Sequence, residues 1–421
     1  MTLNIQKIRN EFPALSRPVL FLDNPGGTQI TRRSLERIQD YLVYKNANHG
    51  GAFETSRLSD QSVDDARQAA VDFLNAARPE EIVFGPNMTS LTFNVSRALA
   101  RDFKPGDTVV VTRLDHDANI SPWLMAAEDR GCRVRWVDFH PDDCTLDMDD
   151  FKKAMEEKPC LVAVGYAANA VGTINPVKEL TALAHNAGAL VYIDAVQFAP
   201  HGPIDVQDLD CDFLVCSAYK YFGPHEGVLY GRYELLDRLR AYKVRPAPAR
   251  PPGKFETGTG NFEHMAGTLG ALDYFEWIGK EFGSEFREIS VEYTGRRRVF
   301  KQAMLAIRAY EFEISREFVK QLEDINGLTL YGVTDLKQLD QRVPTFSFTL
   351  QDWPVKNLAA ELDRHSIYTW DGNFYALAVT ERLGLEGKGG LLRSGAVHYN
   401  TLDEIRHFGD VIREISRKTP R

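Results

Sequence analysis

The chain has no uninterrupted apolar run near the roughly 20 residues that a membrane-spanning helix needs. Its first ten residues, Met1 to Asn10, lack the hydrophobic core of a secretion signal. Cysteine is scarce: five occur in 421 residues, none in a Cys-x-x-Cys pair or at metal-ligand spacing. Cys160, Cys211 and Cys216 lie in or beside apolar runs, so buried reduced thiols are expected and no metal. A basic excess is missing too, since the net charge is −9, which argues against nucleic acid as a partner. No Gly-x-Gly-x-x-Gly follows the first strand-like runs, which removes the usual dinucleotide fingerprint. A soluble cytoplasmic protein is expected, and 43% hydrophobic with 26% charged residues can fill the core of two domains.

What is present is an alternation of short apolar runs with helical patterns from about residue 80 to 245. The runs are Glu81–Phe84, Thr108–Thr112, Arg133–Val137, Leu161–Val164, Ala189–Ile193, Phe213–Cys216 and Gly227–Tyr230. Such alternation predicts an α/β fold, a mostly parallel sheet wrapped by helices. Arg245–Lys254 is rich in proline and reads as a mobile or extended connection. A charged helical stretch over about 264–323 then leads to a smaller α+β part, with strands near Leu328–Tyr331 and Thr345–Thr349. The expected division is an N-terminal segment, 1–18, packed on the small domain, a large cofactor-binding domain, 19–260, and a small C-terminal domain, 261–421.

Two polar residues stand just past neighbouring apolar runs: Asp194 after Ala189–Ile193, and Lys220 after Phe213–Cys216. The carboxyl ends of strands are where open α/β sheets hold ligands. Pyridoxal 5'-phosphate needs such a pair, a lysine to bond its aldehyde carbon and a carboxylate to keep its pyridine nitrogen protonated and electron-accepting. A phosphate site is expected where Phe84-Gly-Pro-Asn-Met88-Thr89 runs from strand into helix, because the first amides of a helix favour an anion.

Asp194-Ala-Val-Gln197, then Ser217-Ala-Tyr-Lys220 and Gly223-Pro224, are specific as a group. On them the chain resembles the aminotransferase class V family of fold-type-I pyridoxal phosphate enzymes, in its cysteine desulfurase-like branch, over nearly the whole length. The resemblance implies catalytic roles for Lys220, Asp194 and His116, with His116 lying over the pyridine ring. It implies phosphate contacts from Met88, Thr89 and Ser217, although the family's usual Gly-Thr-Thr reads Asn87-Met88-Thr89 here. Thr259 resembles a residue that reaches the phosphate of the neighbouring subunit, so a homodimer with a shared site is expected. Asn169 and Gln197 match the pair near the cofactor's phenolic oxygen. Tyr219 stands where desulfurases carry histidine and resembles the phosphate-binding tyrosine of kynureninases. Arg393 matches the clamp for an amino-acid carboxylate, and Gly27 and His49 resemble the substrate rim.

The chain departs from desulfurases where they carry sulfur. No cysteine follows Cys216, and the matching stretch, Ile367-Tyr-Thr-Trp370-Asp-Gly-Asn-Phe-Tyr375-Ala, places Tyr375 where the persulfide cysteine would stand. A phenol cannot accept sulfur as a thiolate does. The reading is carbon–sulfur β-lyase chemistry on cysteine or a derivative, without a persulfide relay. Epimerisation or racemisation, transamination, and a non-catalytic cofactor-binding role remain as alternatives. Trp370, Phe374 and Tyr375 suggest a substrate bulkier or more apolar than cysteine.

Overall fold

The computed structural model describes residues 3–418. All seven runs between residues 80 and 245 form strands: β1 (Ile82–Gly85), β2 (Thr108–Thr112), β3 (Arg133–Val137), β4 (Leu161–Gly165), β5 (Leu190–Asp194), β6 (Phe213–Ser217) and β7 (Gly227–Gly231). They make one sheet in the order β1-β7-β6-β5-β4-β2-β3. β7 pairs antiparallel with both neighbours, and the other pairings are parallel. Continuous apolar runs suit this sheet because both faces are covered. Tyr192, Phe213 and Val215 point into one apolar layer, whereas Ile193, Leu214 and Cys216 point into the other.

Four helices matter for the site: α1 (Arg32–Tyr44), α2 (Glu54–Leu74), α3 (Met88–Leu99) and α4 (Phe262–Phe282). A fifth, α5 (Gly295–Leu322), follows α4 after a break at Gly283–Thr294, so the stretch expected as one long helical region is two packed helices. They approach so closely that a Cβ at Gly279 would stand 2.1 Å from the Val299 carbonyl oxygen. The smaller sheet is antiparallel, ordered β10-β11-β9-β8, from β8 (Leu328–Tyr331), β9 (Thr345–Leu350), β10 (Trp370–Gly372) and β11 (Leu391–Gly395).

Packing bears on the expected divisions. Residues Met265 to Phe282 of α4 and Phe300 to Ile307 of α5 share the core of the large sheet, while Ile314 to Leu322 of α5 join Phe346, Phe348 and Leu392 of the small one. We propose on this packing that the two parts join within α5. The N-terminal segment reaches both parts: Lys7 pairs with Glu281 at 2.5 Å, and Arg9 donates to the Tyr399 carbonyl at 2.9 Å. The proline-rich connection is irregular, as expected, but its end is pinned. Glu256 accepts both ends of the Arg67 guanidinium, at 2.8 and 3.1 Å, and the Phe84 N–H at 2.9 Å.

The five cysteines are free; Cys144, Cys211 and Cys216 are buried, but Cys132 and Cys160 only partly so. No described helix is long and apolar enough to cross a membrane, and no metal-binding cluster occurs among the described residues.

Candidate active site

The carboxyl ends of the parallel strands converge on one place. β5 delivers Asp194, whose Oδ1 accepts the Val196 N–H at 2.9 Å. β6 delivers Ser217, and a single tight turn, Ala218–Lys220, carries the lysine inward. There Lys220 is buried and its Nζ donates to the Pro25 carbonyl. Burial, reinforced by the Arg393 charge, lowers the Lys220 pKa to about 7, although Asp23 and Asp194 oppose this. Burial raises Asp194 to about 6, against the Val196 N–H and Lys220.

Beyond β2, the segment Asp115–Asn119 crosses the sheet edge. Asp115 is buried and accepts the Gly165 N–H at 2.6 Å and the Asn119 amide at 3.1 Å, which fixes the backbone on either side of His116. His116 Nδ1 accepts the Ala118 N–H at 3.0 Å, so the neutral ring carries its hydrogen on Nε2. Burial, with Lys220 and Arg393 nearby, holds its pKa at about 4. One ring face is stacked by Tyr375, centroids 5.6 Å apart and planes 21° from parallel.

α3 starts at Met88, and its cap Asn87 accepts the Ser90 N–H on its side chain and the Leu91 N–H on its carbonyl. That leaves the Met88 and Thr89 amides, the first two of the helix, without an acceptor among the described residues.

These elements enclose two joined cavities. The inner one, about 70 Å³, is lined by Met88, Thr89, His116, Asn169, Asp194, Gln197, Tyr219 and Lys220, among others. The outer, about 770 Å³, shares Thr89, His116, Asn169, Tyr219 and Lys220 and adds Asp23, Trp370, Phe374, Tyr375 and Arg393. Four polar atoms around them are buried without a partner: Asn169 Oδ1, Gln197 Oε1, Ser217 Oγ and Arg393 Nε. Native interiors rarely leave such groups unmet, so they mark a place for a polar ligand. A pyridoxal phosphate fits this set: a lysine, a carboxylate at a strand end, free helix amides and unmet hydroxyl and amide groups. Asn169 Nδ2 is committed to the Phe374 carbonyl at 2.9 Å, so its free Oδ1 calls for a donor on the ligand. Gln197 Nε2 meets the Thr345 hydroxyl at 3.0 Å, a group that serves either role, so Gln197 can turn either end to the ligand.

Not every expected residue is at the cavity of its own chain. His49 is exposed and packs edge-on against Phe262, with centroids 6.0 Å apart. Gly26 lines the outer cavity, but Gly27 sits behind the Tyr219 ring. Thr259 is exposed on the irregular connection. Tyr219 is in the wall, stacked on His225 with centroids 4.9 Å apart. The aromatic loop is also less apolar than expected: Trp370 and Tyr375 are 56% and 75% exposed, and Asp117 and Glu386 line the cavity with them.

Residues 20–294 match the aminotransferase class-V family. The chain belongs to that family. Its cofactor is accordingly pyridoxal 5'-phosphate. The chain is 33% identical to a cysteine desulfurase of Synechococcus elongatus over 98% of its length, covering 64% of that protein. It is 32% identical to the aminotransferase-like protein FGM3 of Gibberella zeae, with 96% of each chain covered, and 30% identical to a cysteine desulfurase of Pectobacterium atrosepticum, with 99% of each covered. Its fold is similar to the apo cysteine desulfurase of Thermococcus onnurineus, with a TM-score of 0.86 at 27% identity over 99% of each chain.

No cysteine lines either cavity, and burial pushes Cys144, Cys160 and Cys216 up to about 12, far from a thiolate at neutral pH.

The site also holds a residue that motif reading passed over. Asp23 pairs with Arg393 Nη2 at 3.2 Å, while Arg393 Nη1 donates to the Asn169 carbonyl at 3.1 Å. Gly26 permits this, since a Cβ there would lie 2.4 Å from the Asp23 carboxylate. The signal was the Asp-Asn-Pro-Gly-Gly turn itself, which was read for its glycines.

Proposed function

We propose that this class V enzyme cleaves the Cβ–sulfur bond of cysteine or an S-substituted cysteine and releases a thiol, pyruvate and ammonium without a persulfide relay. The observation that carries it is the outer cavity: it has a lysine and an arginine for an α-amino acid, but Tyr375 and no thiol for sulfur.

When bound, the cofactor withdraws electrons from the substrate α-carbon. The chain supplies the rest. Arg393 takes the α-carboxylate with its free Nε and a shared Nη. Asp194 keeps a proton on the pyridine nitrogen. Lys220 Nζ, its pKa lowered to about 7, removes the α-proton in its neutral form and returns it to the sulfur as the Cβ–S bond breaks and the electron pair leaves with sulfur. Met88, Thr89, Ser217 and Tyr219 would hold the phosphate, and His116 would lie against the ring. One water is consumed as ammonium is released. We further propose a homodimer in which Thr259 serves the neighbouring site. The exposed Leu35, Leu42, Val43 and Tyr44 on α1 and Phe53 beside α2 support an apolar contact there.

The test is the visible absorption of protein loaded with pyridoxal phosphate, with Lys220→Ala alongside, before and after an S-alkyl cysteine. The expected result is a Lys220-dependent band that shifts with the thioether and is followed by pyruvate. A band that ignores cysteine thioethers but shifts with other amino acids, yielding their keto acids, would point to transamination instead.

A further inference from the structure

An amino acid enters the cavity at neutral pH as an ammonium, which has no lone pair, yet its nitrogen must displace Lys220 from the cofactor. Some group must first take a proton from it. The groups around the inner end of the outer cavity can be taken in turn.

Lys220 is itself bonded to the cofactor at this stage. His116 has its Nδ1 lone pair engaged by the Ala118 N–H and its hydrogen on Nε2. Burial raises the Tyr219 phenol above its ordinary value, so it keeps its proton. Asp194 belongs to the inner cavity only, where the pyridine nitrogen is held. The amide of Asn169 is not a base. Asp117, Asp371 and Glu386 line the outer cavity, but among the described residues none is hydrogen-bonded or ion-paired to Arg393. Asp23 alone among the lining carboxylates is joined to Arg393, at 3.2 Å from Nη2. It is also close enough to Lys220 to affect that amine's charge.

An α-amino acid holds its carboxylate and its nitrogen on the same carbon. A carboxylate docked on the free Nε of Arg393 therefore brings the ammonium beside the carboxylate already resting on that arginine. The unmet and buried Arg393 Nε is the position that an incoming carboxylate would satisfy.

We propose that Asp23 is a catalytic residue of this enzyme, the base that takes the proton from the substrate's α-ammonium. The inference rests on the amino-acid reading above. One N–H bond breaks and an O–H bond forms on the Asp23 carboxylate. The freed lone pair bonds to the cofactor carbon that Lys220 holds. One of the two hydrogens left on the substrate nitrogen passes to Lys220 Nζ, which departs as the neutral amine. Asp23 then returns its proton to water. Burial raises the Asp23 pKa while Arg393 opposes the rise, so the carboxylate is a stronger base than an exposed one.

The test follows the cofactor band of holoenzyme by stopped flow, comparing wild type with Asp23→Asn and Asp23→Glu. Two probes carry a carboxylate for Arg393: a cysteine thioether, whose nitrogen arrives protonated, and aminooxyacetate, whose nitrogen is already neutral at pH 7. Asp23→Asn is expected to slow the thioether reaction about 10²-fold or more while changing aminooxyacetate capture by less than about threefold. Its thioether rate should climb with pH toward the pKa of the substrate amine, and Asp23→Glu should recover part of the loss. Equal slowing of both probes would show that Asp23 only holds Arg393 in place and would overturn the proposal, as would an unchanged thioether rate. If the wild-type band forms but answers aminooxyacetate and no amino acid, the amino-acid reading falls and this inference with it.

Discussion

Lys220 is where burial and chemistry meet. Its folded pKa of about 7 lies far below an ordinary lysine because burial disfavours the ammonium, so the neutral amine predominates above pH 7 and the charged form below. Only the neutral amine bonds the cofactor aldehyde. The rate at which apo protein takes up pyridoxal phosphate is therefore expected to rise about tenfold per pH unit below 7 and to level off just above it. A lysine left at its usual value would give a rate still rising at pH 9, and stopped-flow absorbance between pH 5.5 and 9 separates the two. At this scale four residues singled out by their chemistry in the sequence, Lys220, Asp194, His116 and Arg393, all reach the cavities. Asp23 and Asp115 were passed over because a carboxylate in a turn has ordinary local uses, and what sets these apart is a partner 370 positions away for Asp23 and burial against Gly165 for Asp115. His49 and Gly27, expected at the substrate rim, do not line the cavities of their own chain.

Among the elements, the seven strands of the large sheet could be read because each is a short β-branched run buried on both faces, a signal that needs no knowledge of neighbours. β10 and β11 escaped notice for the opposite reason. β10 has only three residues, with Trp370 largely exposed, and β11 carries a buried Arg393 in place of an apolar side chain. The break between α4 and α5 was hidden by charged residues that suit helix and turn alike. The contact between those helices is testable. Gly279→Ala would push a Cβ into the Val299 carbonyl and is expected to cost about 1–3 kcal/mol, whereas Gly387→Ala meets nothing within 4 Å and should change stability little. Denaturant unfolding of the two variants with an unchanged slope would report this directly, and equal midpoints would contradict the packing described for α4 and α5.

At the scale of the whole molecule, the site lies where the two sheets meet. β11 brings Arg393, the turn at Asp23–Gly26 brings the carboxylate beside it, the Asn373–Tyr375 loop closes over His116 and Asn169, and the strand ends of the large sheet supply Asp194 and Lys220. Sequence alone indicated two parts but not their seam, because α5 is one continuous helix whose two halves are buried in different cores. Relatives named cysteine desulfurases share this fold, and in this chain Tyr375 stands exposed at the join with its ring stacked on His116. The most direct measurement is the carbon product formed from L-cysteine and an S-alkyl cysteine by the loaded enzyme, resolved as pyruvate or alanine. Pyruvate with one equivalent each of ammonium and of sulfide or thiol is expected. Alanine, with sulfur passed to an added thiol, would contradict the claim that this enzyme works without a persulfide.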